Sequence, residues 1–393
     1  MKYNFDEIID RSGTNALKTD VLAKRYGNAD LQPLWVADMD FATPPPIIDA
    51  LKKRLEHPIF GYTVTPKSYF ETIVHWIKIR QEWEIKQEWL TFIPGIVKGI
   101  GMAINVFTEI GDKIIIQPPI YHPFRIVPEE NHRQVICNPL KLSDDQYEMD
   151  FENLEKIIDE RCKMLILSNP HNPGGIIWRK ETLQKLAAIC AKHNILVISD
   201  EIHADLALWG NKHIPFATVS EDAAQNSITF GSPSKTFNIA GIVSSFAIVL
   251  NDKIRQKFFQ WLHANELNNP TIFSIIAAEA AYNYCEHWRC QLIDYIENNI
   301  IFCENYINEN IHQIKVFRPQ ASFLLWLDCR RFHFKHDELI DFFIHRAGLV
   351  LNDGKMFGTG GDGFMRMNIG TPRQNLQHAL TKIAMAVNSQ PKD

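Results

Sequence analysis

The middle of the chain alternates short apolar runs with amphipathic stretches, and this order constrains the fold more than any other feature. Strands that lack polar alternation are typical of a parallel sheet covered on both faces. Between two of the runs, residues 179–193 place Leu183, Leu186 and Cys190 on one helical face. We therefore predict an α/β fold with a mostly parallel central sheet and helices on both faces. The apolar runs are Lys113–Gln117, Gln134–Asn138, Met164–Leu167, Ile195–Ser199, Ser227–Phe230 and Ser245–Leu250.

The two ends of the chain differ from its middle. The first 48 residues are rich in turn formers, and the chain from about residue 290 onward changes to long helices and isolated strands, such as Phe323–Leu327 and Phe364–Ile369. A chain of 393 residues is also long for one simple domain. We predict a large domain of residues 49–288 and a smaller α+β domain built from residues 1–48 and 289–393.

Charge and hydropathy exclude several classes of partner. A net charge of -5 gives no electrostatic reason to expect nucleic acid. The longest apolar candidate, Ile239–Leu250, contains two serines and suits a buried strand better than a membrane span. Acidic residues interrupt the N-terminus at Asp6 and Glu7, unlike a secretory signal. We expect a cytoplasmic protein that binds neither nucleic acid nor membrane.

The cysteines predict reduced thiols. There are seven, scattered and without any C-x-x-C pair. Cys285, His287 and Cys290 come nearest to a metal cluster, but their spacing matches no standard site, so no metal is predicted.

Polar residues follow several of the apolar runs at the point where each run ends. In open α/β sheets, ligands bind beyond the carboxyl ends of the strands. Consecutive strand ends therefore direct polar groups toward one crevice. The segments concerned are residues 117–121, 168–172, 199–203 and 231–235.

Lys235 closes the turn Gly231-Ser-Pro-Ser-Lys235 after a buried run. A lysine desolvated there has a lowered pKa, which makes its neutral amine a nucleophile and a base. The flanking hydroxyls of Ser232 and Ser234, with N–H groups at a helix start, can hold a phosphate. The alternative is a surface lysine in an ordinary strand–helix turn.

Asp200 ends another buried run and needs a cationic partner. A protonated pyridine nitrogen would serve, and His203 could reach the same ligand. The alternative is a helix-capping aspartate beside a core histidine.

In the loop that follows Ser168, two Asn-Pro steps restrict the backbone, so an amide such as that of Asn172 is held to face a phenolate oxygen. The alternative is a simple turn.

Three further features are weak when taken singly. The glycine-rich segment Pro94–Gly101 can cradle phosphate with backbone N–H groups. Tyr121 can stack on a flat ring, or can be a packed core tyrosine. Arg366 lies in an apolar segment and needs a carboxylate, which either a substrate or an internal salt bridge could supply.

Together, and in this order over residues 94–366, these segments resemble the fold-type I pyridoxal phosphate (PLP) enzymes, the aspartate aminotransferase superfamily. The similarity is greater still to its cystathionine β-lyase branch, which contains the MalY and PatB proteins, and it covers nearly the whole chain. The motifs that carry it are Pro33–Phe41, Phe60–Thr63, Tyr121–Phe124, Ser199–His203, Ser234–Asn238 and Leu351–Gly354.

The resemblance implies a role for each matched residue. Lys235 forms the Schiff base, Asp200 pairs with the pyridine nitrogen, and Asn172 and His203 reach the ring O3′. Tyr121 stacks on the ring. The cofactor phosphate is held by the backbone of Gly95, Ile96 and Val97 and by the hydroxyls of Ser232 and Ser234. The substrate carboxylate is held by Arg366, with Ala37 and Tyr121 beside it. Tyr62 reaches the phosphate of a neighbouring subunit in a homodimer.

One position departs from the aspartate aminotransferase pattern. Those enzymes often carry a phosphate-binding arginine eight residues after the lysine, where this chain has Val243. The departure disfavours a plain aminotransferase, and the resemblance implies a carbon–sulfur β-lyase acting on cystathionine, cysteine conjugates or cysteine. An aminotransferase of a small amino acid would use the same residues. A third possibility is a regulatory protein on this fold, although the intact Lys235, Asp200 and Arg366 disfavour lost catalysis.

Overall fold

Helices and strands alternate through most of the chain in the computed structural model, which describes residues 2–143 and 146–389. The strands are β1 Gln32–Pro33, β2 Leu90–Ile93, β3 Lys113–Ile116, β4 Gln134–Cys137, β5 Lys141–Ser143, β6 Gln146–Glu148, β7 Cys162–Ser168, β8 Leu196–Asp200, β9 Ser227–Gly231, β10 Ser245–Ile248, β11 Lys315–Phe317, β12 Leu324–Asp328, β13 Leu349–Val350, β14 Asn352–Asp353 and β15 Phe364–Asn368.

The α-helices are α1 Leu22–Tyr26, α2 Pro45–Leu55, α3 Lys67–Gln81, α4 Ile96–Phe107, α5 Pro123–Glu130, α6 Phe151–Ile157, α7 Lys180–Lys192, α8 Glu221–Gln225, α9 Asp252–Ala264, α10 Ile272–Tyr284, α11 Glu286–Asn310, α12 His336–Asp341 and α13 Arg373–Asn388. Short 3-10 turns occupy Gln87–Trp89, Ala204–Leu206, Phe216–Thr218, Ala240–Ile242, Arg330–Phe332 and Gly354–Phe357, and a π-turn occupies Phe342–Arg346.

The central sheet has the strand order β2-β10-β9-β8-β7-β3-β4. The strands from β9 to β4 run parallel, and β10 is antiparallel to both of its neighbours. The predicted α/β fold with a mostly parallel sheet is confirmed. The carboxyl ends of β3, β7, β8 and β9 lie at one edge, with β8 between β7 and β9, so the segments that follow these strands meet there.

Two of the six apolar runs are not the doubly covered parallel strands that their composition indicated. The run at residues 245–250 forms β10, whose residues are buried but antiparallel. The run at residues 134–138 forms β4, which lies at the sheet edge with Gln134 and Cys137 exposed. An apolar composition indicates that a strand can be buried. It predicts neither the direction of the strand nor its position in the sheet.

A second sheet lies in the C-terminal part of the chain, with the antiparallel order β11-β12-β15-β14. The N-terminal segment joins this part, because β1 pairs in parallel with β13, and the Asn368 amide donates to the Leu34 carbonyl at 2.8 Å. This pairing agrees with a small domain built from both termini. The boundary near residue 288 falls in the first turn of α11, and the division at 48/49 and 288/289 stays a proposal.

Apolar helix faces cover the sheet. Leu183, Leu186 and Cys190 of α7 are fully buried, as the spacing predicted. Five of the seven cysteines are buried and all seven are free thiols. In residues 2–143 and 146–389, no helix is both long enough and apolar enough to cross a membrane.

Candidate active site

A cavity of about 270 Å³ lies at the carboxyl edge of the central sheet and brings most of the predicted site residues together. It is bounded on one side by the N-terminus of α4 and on the other by the turn after β9. Ser232 and Arg366 adjoin this cavity rather than line it, and Tyr62 lies away from it, fully exposed. The predicted residues that line the cavity are Ala37, Gly95, Ile96, Val97, Tyr121, Asn172, Asp200, His203, Ser234 and Lys235.

Lys235 is partly buried in this cavity, and its Nζ donates a 2.6 Å hydrogen bond to the carbonyl of Ala37. Burial and the nearby Arg366 cation lower the pKa of Lys235 to about 8, although Asp38 and Asp200 act in the opposite direction. The amine is therefore neutral in a substantial fraction of molecules near physiological pH, as a nucleophile or base requires.

Asp200 ends β8, and its Oδ1 accepts a hydrogen bond from the Ile202 amide at 3.0 Å. Burial raises the pKa of Asp200 to about 7, and the Lys235 cation, which acts in the opposite direction, does not keep this carboxyl fully ionised. The neighbouring Glu201 is oriented differently, with Oε2 2.6 Å from His213 Nε2 and Oε1 accepting from the Phe216 amide. A protonated pyridine nitrogen beside Asp200 would supply the missing positive charge.

Arg366 is buried on β15 without an acidic partner: in the described part of the chain it makes no ion pair. Its Nη1 donates to Asn172 Oδ1 at 2.9 Å and its Nη2 donates to Asn352 Oδ1 at 2.6 Å, while Nε has no partner. Burial lowers the pKa of Arg366 to about 10. Among the described residues, Arg366 therefore lacks the internal salt bridge that the sequence left as an alternative. A guanidinium without an acidic partner suits a ligand carboxylate.

Asn172 and His203 present nitrogen atoms to the cavity. Because Asn172 Oδ1 accepts from Arg366, its Nδ2 is the group left to donate to a ligand. His203 is buried, its Nδ1 has no hydrogen-bond partner, and burial, with the Lys235 and Arg366 cations, lowers its pKa to about 3. The histidine is therefore neutral, and its one ring N–H can donate a hydrogen bond to a phenolate oxygen.

The turn before α4 provides a phosphate cradle. Gly95 precedes the helix with a φ of 109°, a conformation that a side chain would strain, and the free N–H groups of Ile96 and Val97 begin the helix at the cavity. Ser234 lies opposite, its Oγ 2.7 Å from that of Ser232, which donates to the Ser244 carbonyl. Ser232 thus holds Ser234 in place rather than facing the cavity itself.

Sequence reasoning missed three contributors. Lys98 lines the cavity from the first turn of α4, and a cation beside the predicted phosphate cradle was the signal that could have indicated it. Asn352 orients Arg366, and Asn238 binds the segment that carries Ala37. Both asparagines fall in segments that carry the resemblance, but their contacts join segments far apart in sequence, so the sequence alone did not assign their roles.

Fold and site define a fold-type I enzyme, the class in which a lysine beyond a central strand holds PLP. The sequence matches the family model described as aminotransferase class I and II over residues 30–383. The chain belongs to this family, and the predicted membership is confirmed.

Individual relatives are similar over nearly their full length. Cystathionine beta-lyase PatB of Bacillus subtilis (strain 168) is 42% identical over 387 residues, which cover 98% of this chain and 100% of the relative. Cystalysin from Treponema denticola, whose crystal structure contains PLP, matches with a TM-score of 0.95 and 35% identity over 99% of each chain. The PLP-bound C-S lyase from Staphylococcus hominis matches with a TM-score of 0.91 and 34% identity over 98% of each chain.

Proposed function

We propose that this protein is a PLP-dependent carbon–sulfur β-lyase that converts L-cystathionine or a related cysteine conjugate, with one water, to pyruvate, ammonia and a thiol. The observation that carries the proposal is the convergence of three residues at two adjoining cavities: Asp200 lines the first, Arg366 lines the second, and Lys235 lines both. The choice of elimination over transamination is supported by the similarity to PatB and to the Staphylococcus hominis lyase.

The cavity residues fit the cofactor group by group. Lys235 would hold its aldehyde carbon, Asp200 its pyridine nitrogen, Asn172 and His203 its phenolate oxygen, and Tyr121 its ring face. The α4 N-terminus and Ser234 would hold its phosphate. The orphaned His203 Nδ1 and the elevated pKa of Asp200 are the observations that favour this fit, because each marks a buried polar group without its partner.

When bound, PLP withdraws the electron pair left on the substrate α-carbon. The chain supplies the positions and the proton transfers. Arg366 fixes the substrate carboxylate with its fork, which aims the Cα–H bond at Lys235. Neutral Nζ of Lys235 accepts the α-proton. The Asp200 carboxylate would balance the positive charge of the pyridine nitrogen that it holds. Departure of the sulfur from Cβ then gives the thiol, and hydrolysis of the remaining three-carbon unit gives pyruvate and ammonia.

We further propose a cytoplasmic homodimer in which Tyr62 completes the neighbouring cavity. Ile59, Phe60, Tyr62 and Val64 form a stretch between α2 and α3 whose large side chains are exposed. Exposed apolar stretches of this kind mark protein–protein contacts. We expect the Tyr62→Ala variant to sediment as a dimer, and we expect its affinity for PLP to be lower than that of the wild type.

The test of the function is product release without a keto-acid acceptor. Purified protein is incubated with PLP and L-cystathionine, and pyruvate and free thiol are measured. We expect the two products in equal amounts, with no release from Lys235→Ala. Turnover that requires an added keto acid, with an amino acid as its product, would instead assign an aminotransferase.

A further inference from the structure

A second cavity, of about 580 Å³, adjoins the cofactor cavity and shares Ala37, Tyr121 and Lys235 with it. The side chains that line this second cavity include Arg366, Arg25, Tyr26, His122 and Asp353. We propose that Arg25 and Asp353 form a distal subsite that binds the amino-acid group on the leaving half of the thioether substrate. This inference rests on the proposed function, which places the substrate carboxylate at Arg366 and the Cα–H bond beside Lys235.

Arg25 is an arginine held in place but not neutralised. Its guanidinium carbon lies 4.9 Å from the centre of the Trp35 ring and 5.6 Å from that of Tyr26. Among residues 2–143 and 146–389, no acidic group lies within ion-pair distance of it. Aromatic contacts fix the plane of a guanidinium while leaving its N–H donors available, which suits the binding of a carboxylate.

Asp353 supplies the opposite charge in the same cavity. Its Oδ1 lies 2.6 Å from His336 Nε2 and accepts from the Lys355 amide at 2.7 Å. These contacts fix one carboxylate oxygen and leave Oδ2 for a ligand. Burial raises the pKa of Tyr26, Arg25 lowers it and Asp353 raises it, so both charges act on this one side chain of the cavity lining.

His122 contributes a neutral polar group to the same cavity. Its Nδ1 is buried without a hydrogen-bond partner. Burial lowers the pKa of His122 to about 4, and the cations of Arg366, Arg125 and Arg25 act in the same direction, so the imidazole is neutral. Apolar side chains such as Phe343 and Met356 also line this cavity and are available to the methylene groups of a substrate.

A cation and an anion in one cavity complement a zwitterion. A thioether such as L-cystathionine carries a second ammonium and carboxylate on the half that leaves, whereas the leaving half of S-ethyl-L-cysteine is a hydrocarbon. The distal subsite therefore predicts discrimination between these two substrates, because only the first can pair with both Arg25, which is exposed, and Asp353, whose side chain is 43% exposed.

The experiment compares kcat/KM for L-cystathionine with kcat/KM for S-ethyl-L-cysteine in the wild type, in Arg25→Gln and in the matched control Lys24→Gln. Lys24 is an exposed cation on the same helix that does not line the cavity. We expect the ratio of the two values to fall by about tenfold in Arg25→Gln, the scale of one partly exposed charge contact. The ratio should stay unchanged in Lys24→Gln. An unchanged ratio in Arg25→Gln would overturn the proposal.

A third substrate separates the two charges. S-(2-carboxyethyl)-L-cysteine has a distal carboxylate but no distal ammonium, so Asp353→Asn should lower the preference for L-cystathionine over this compound, and Arg25→Gln should not. Equal losses on all substrates in both variants would assign Arg25 and Asp353 a structural role only. Calorimetric titration of L-cystathionine into PLP-loaded Lys235→Ala protein, with and without Arg25→Gln, gives the same comparison without turnover. A wild type that releases no pyruvate contradicts the β-lyase function and leaves the subsite to be decided by this binding ratio.

Discussion

The 2.6 Å hydrogen bond from Lys235 Nζ to the carbonyl of Ala37 joins the turn after β9 to the N-terminal segment of the chain. Asn238, three residues beyond the lysine, secures the same junction. Its Nδ2 donates to the carbonyls of Met39 and Phe41 at 2.9 and 2.8 Å, and its Oδ1 accepts from the Met39 amide at 3.0 Å. The position of the carbonyl that meets Lys235 therefore depends on Asn238 together with Asn368, whose Nδ2 donates to the carbonyls of Val36 and Asp38 at 2.6 Å.

Replacing Asn238 with glycine tests this dependence. Asn238 has a φ of 55°, which glycine also adopts, so Asn238→Gly removes the three hydrogen bonds without backbone strain. We expect the free energy of unfolding to fall by about 1–3 kcal/mol, measured by urea denaturation. We also expect the pH midpoint for PLP association, near 8 in the wild type, to rise because water reaches Nζ. Asn238→Asp keeps the acceptor but turns a carboxylate oxygen toward the carbonyls of Met39 and Phe41, so it should lose at least as much stability as the glycine variant. An unchanged midpoint in the glycine variant would contradict the coupling.

Asp200 makes the stability of the cofactor-free protein depend on pH. Its pKa is about 7 in the folded state against an ordinary value of 3.8, so between these values the folded protein keeps a proton that the unfolded chain has lost. Stability should therefore fall as pH rises from about 4 to about 7, by at most about 1.4 kcal/mol per pH unit from this group. Asp200→Asn should flatten the profile in this window, as followed by denaturant unfolding at each pH.

The exposed Asp252, changed to asparagine, is the matched control and should leave the profile of the wild type in place. Saturating PLP should also flatten the wild-type profile, because a pyridinium beside the carboxylate restores its ordinary preference for the charged form. A slope that persists in Asp200→Asn would mean that another buried acid dominates.

Strand ends and turn chemistry predicted most of the residues that meet at the cavity. The turn ending in Lys235, the aspartate at the end of β8 and the loop carrying Asn172 were all identifiable, because a buried strand followed by polar residues is a local pattern. Contacts that join distant segments were not predictable. The amide oxygens around Arg366 come from residues 172 and 352, on either side of it in space but 194 and 14 residues away in sequence. The direction of β10 was equally hidden, since strand direction is set by connection and packing rather than by composition.

Arg366 should contribute mainly to substrate binding. Arg366→Ala removes a bidentate carboxylate contact in a closed site. We expect kcat/KM to fall roughly 30- to 1000-fold, which corresponds to about 2–4 kcal/mol of lost binding free energy. Arg366→Lys keeps the charge but not the fork, so it should recover part of the loss. Affinity for PLP, measured by equilibrium dialysis, should change far less than affinity for the amino acid. A variant with unchanged turnover would leave Arg366 only its contacts with Asn172 and Asn352.

Lys98 should take part of the role of the phosphate-binding arginine that Val243 replaces. A lysine in the first turn of a helix is unfavourable beside the positive end of the helix dipole, and an anion in the same place removes that cost. Lys98 is exposed, so Lys98→Gln should raise the dissociation constant of PLP by about three- to tenfold, with a larger effect at low salt. Lys180, in the first turn of α7 and away from the cavity, provides the matched control as Lys180→Gln. Fluorescence titration of cofactor-free protein with PLP measures both. If the two variants bind PLP equally well at every salt concentration, the phosphate charge is met by backbone N–H groups and hydroxyls alone.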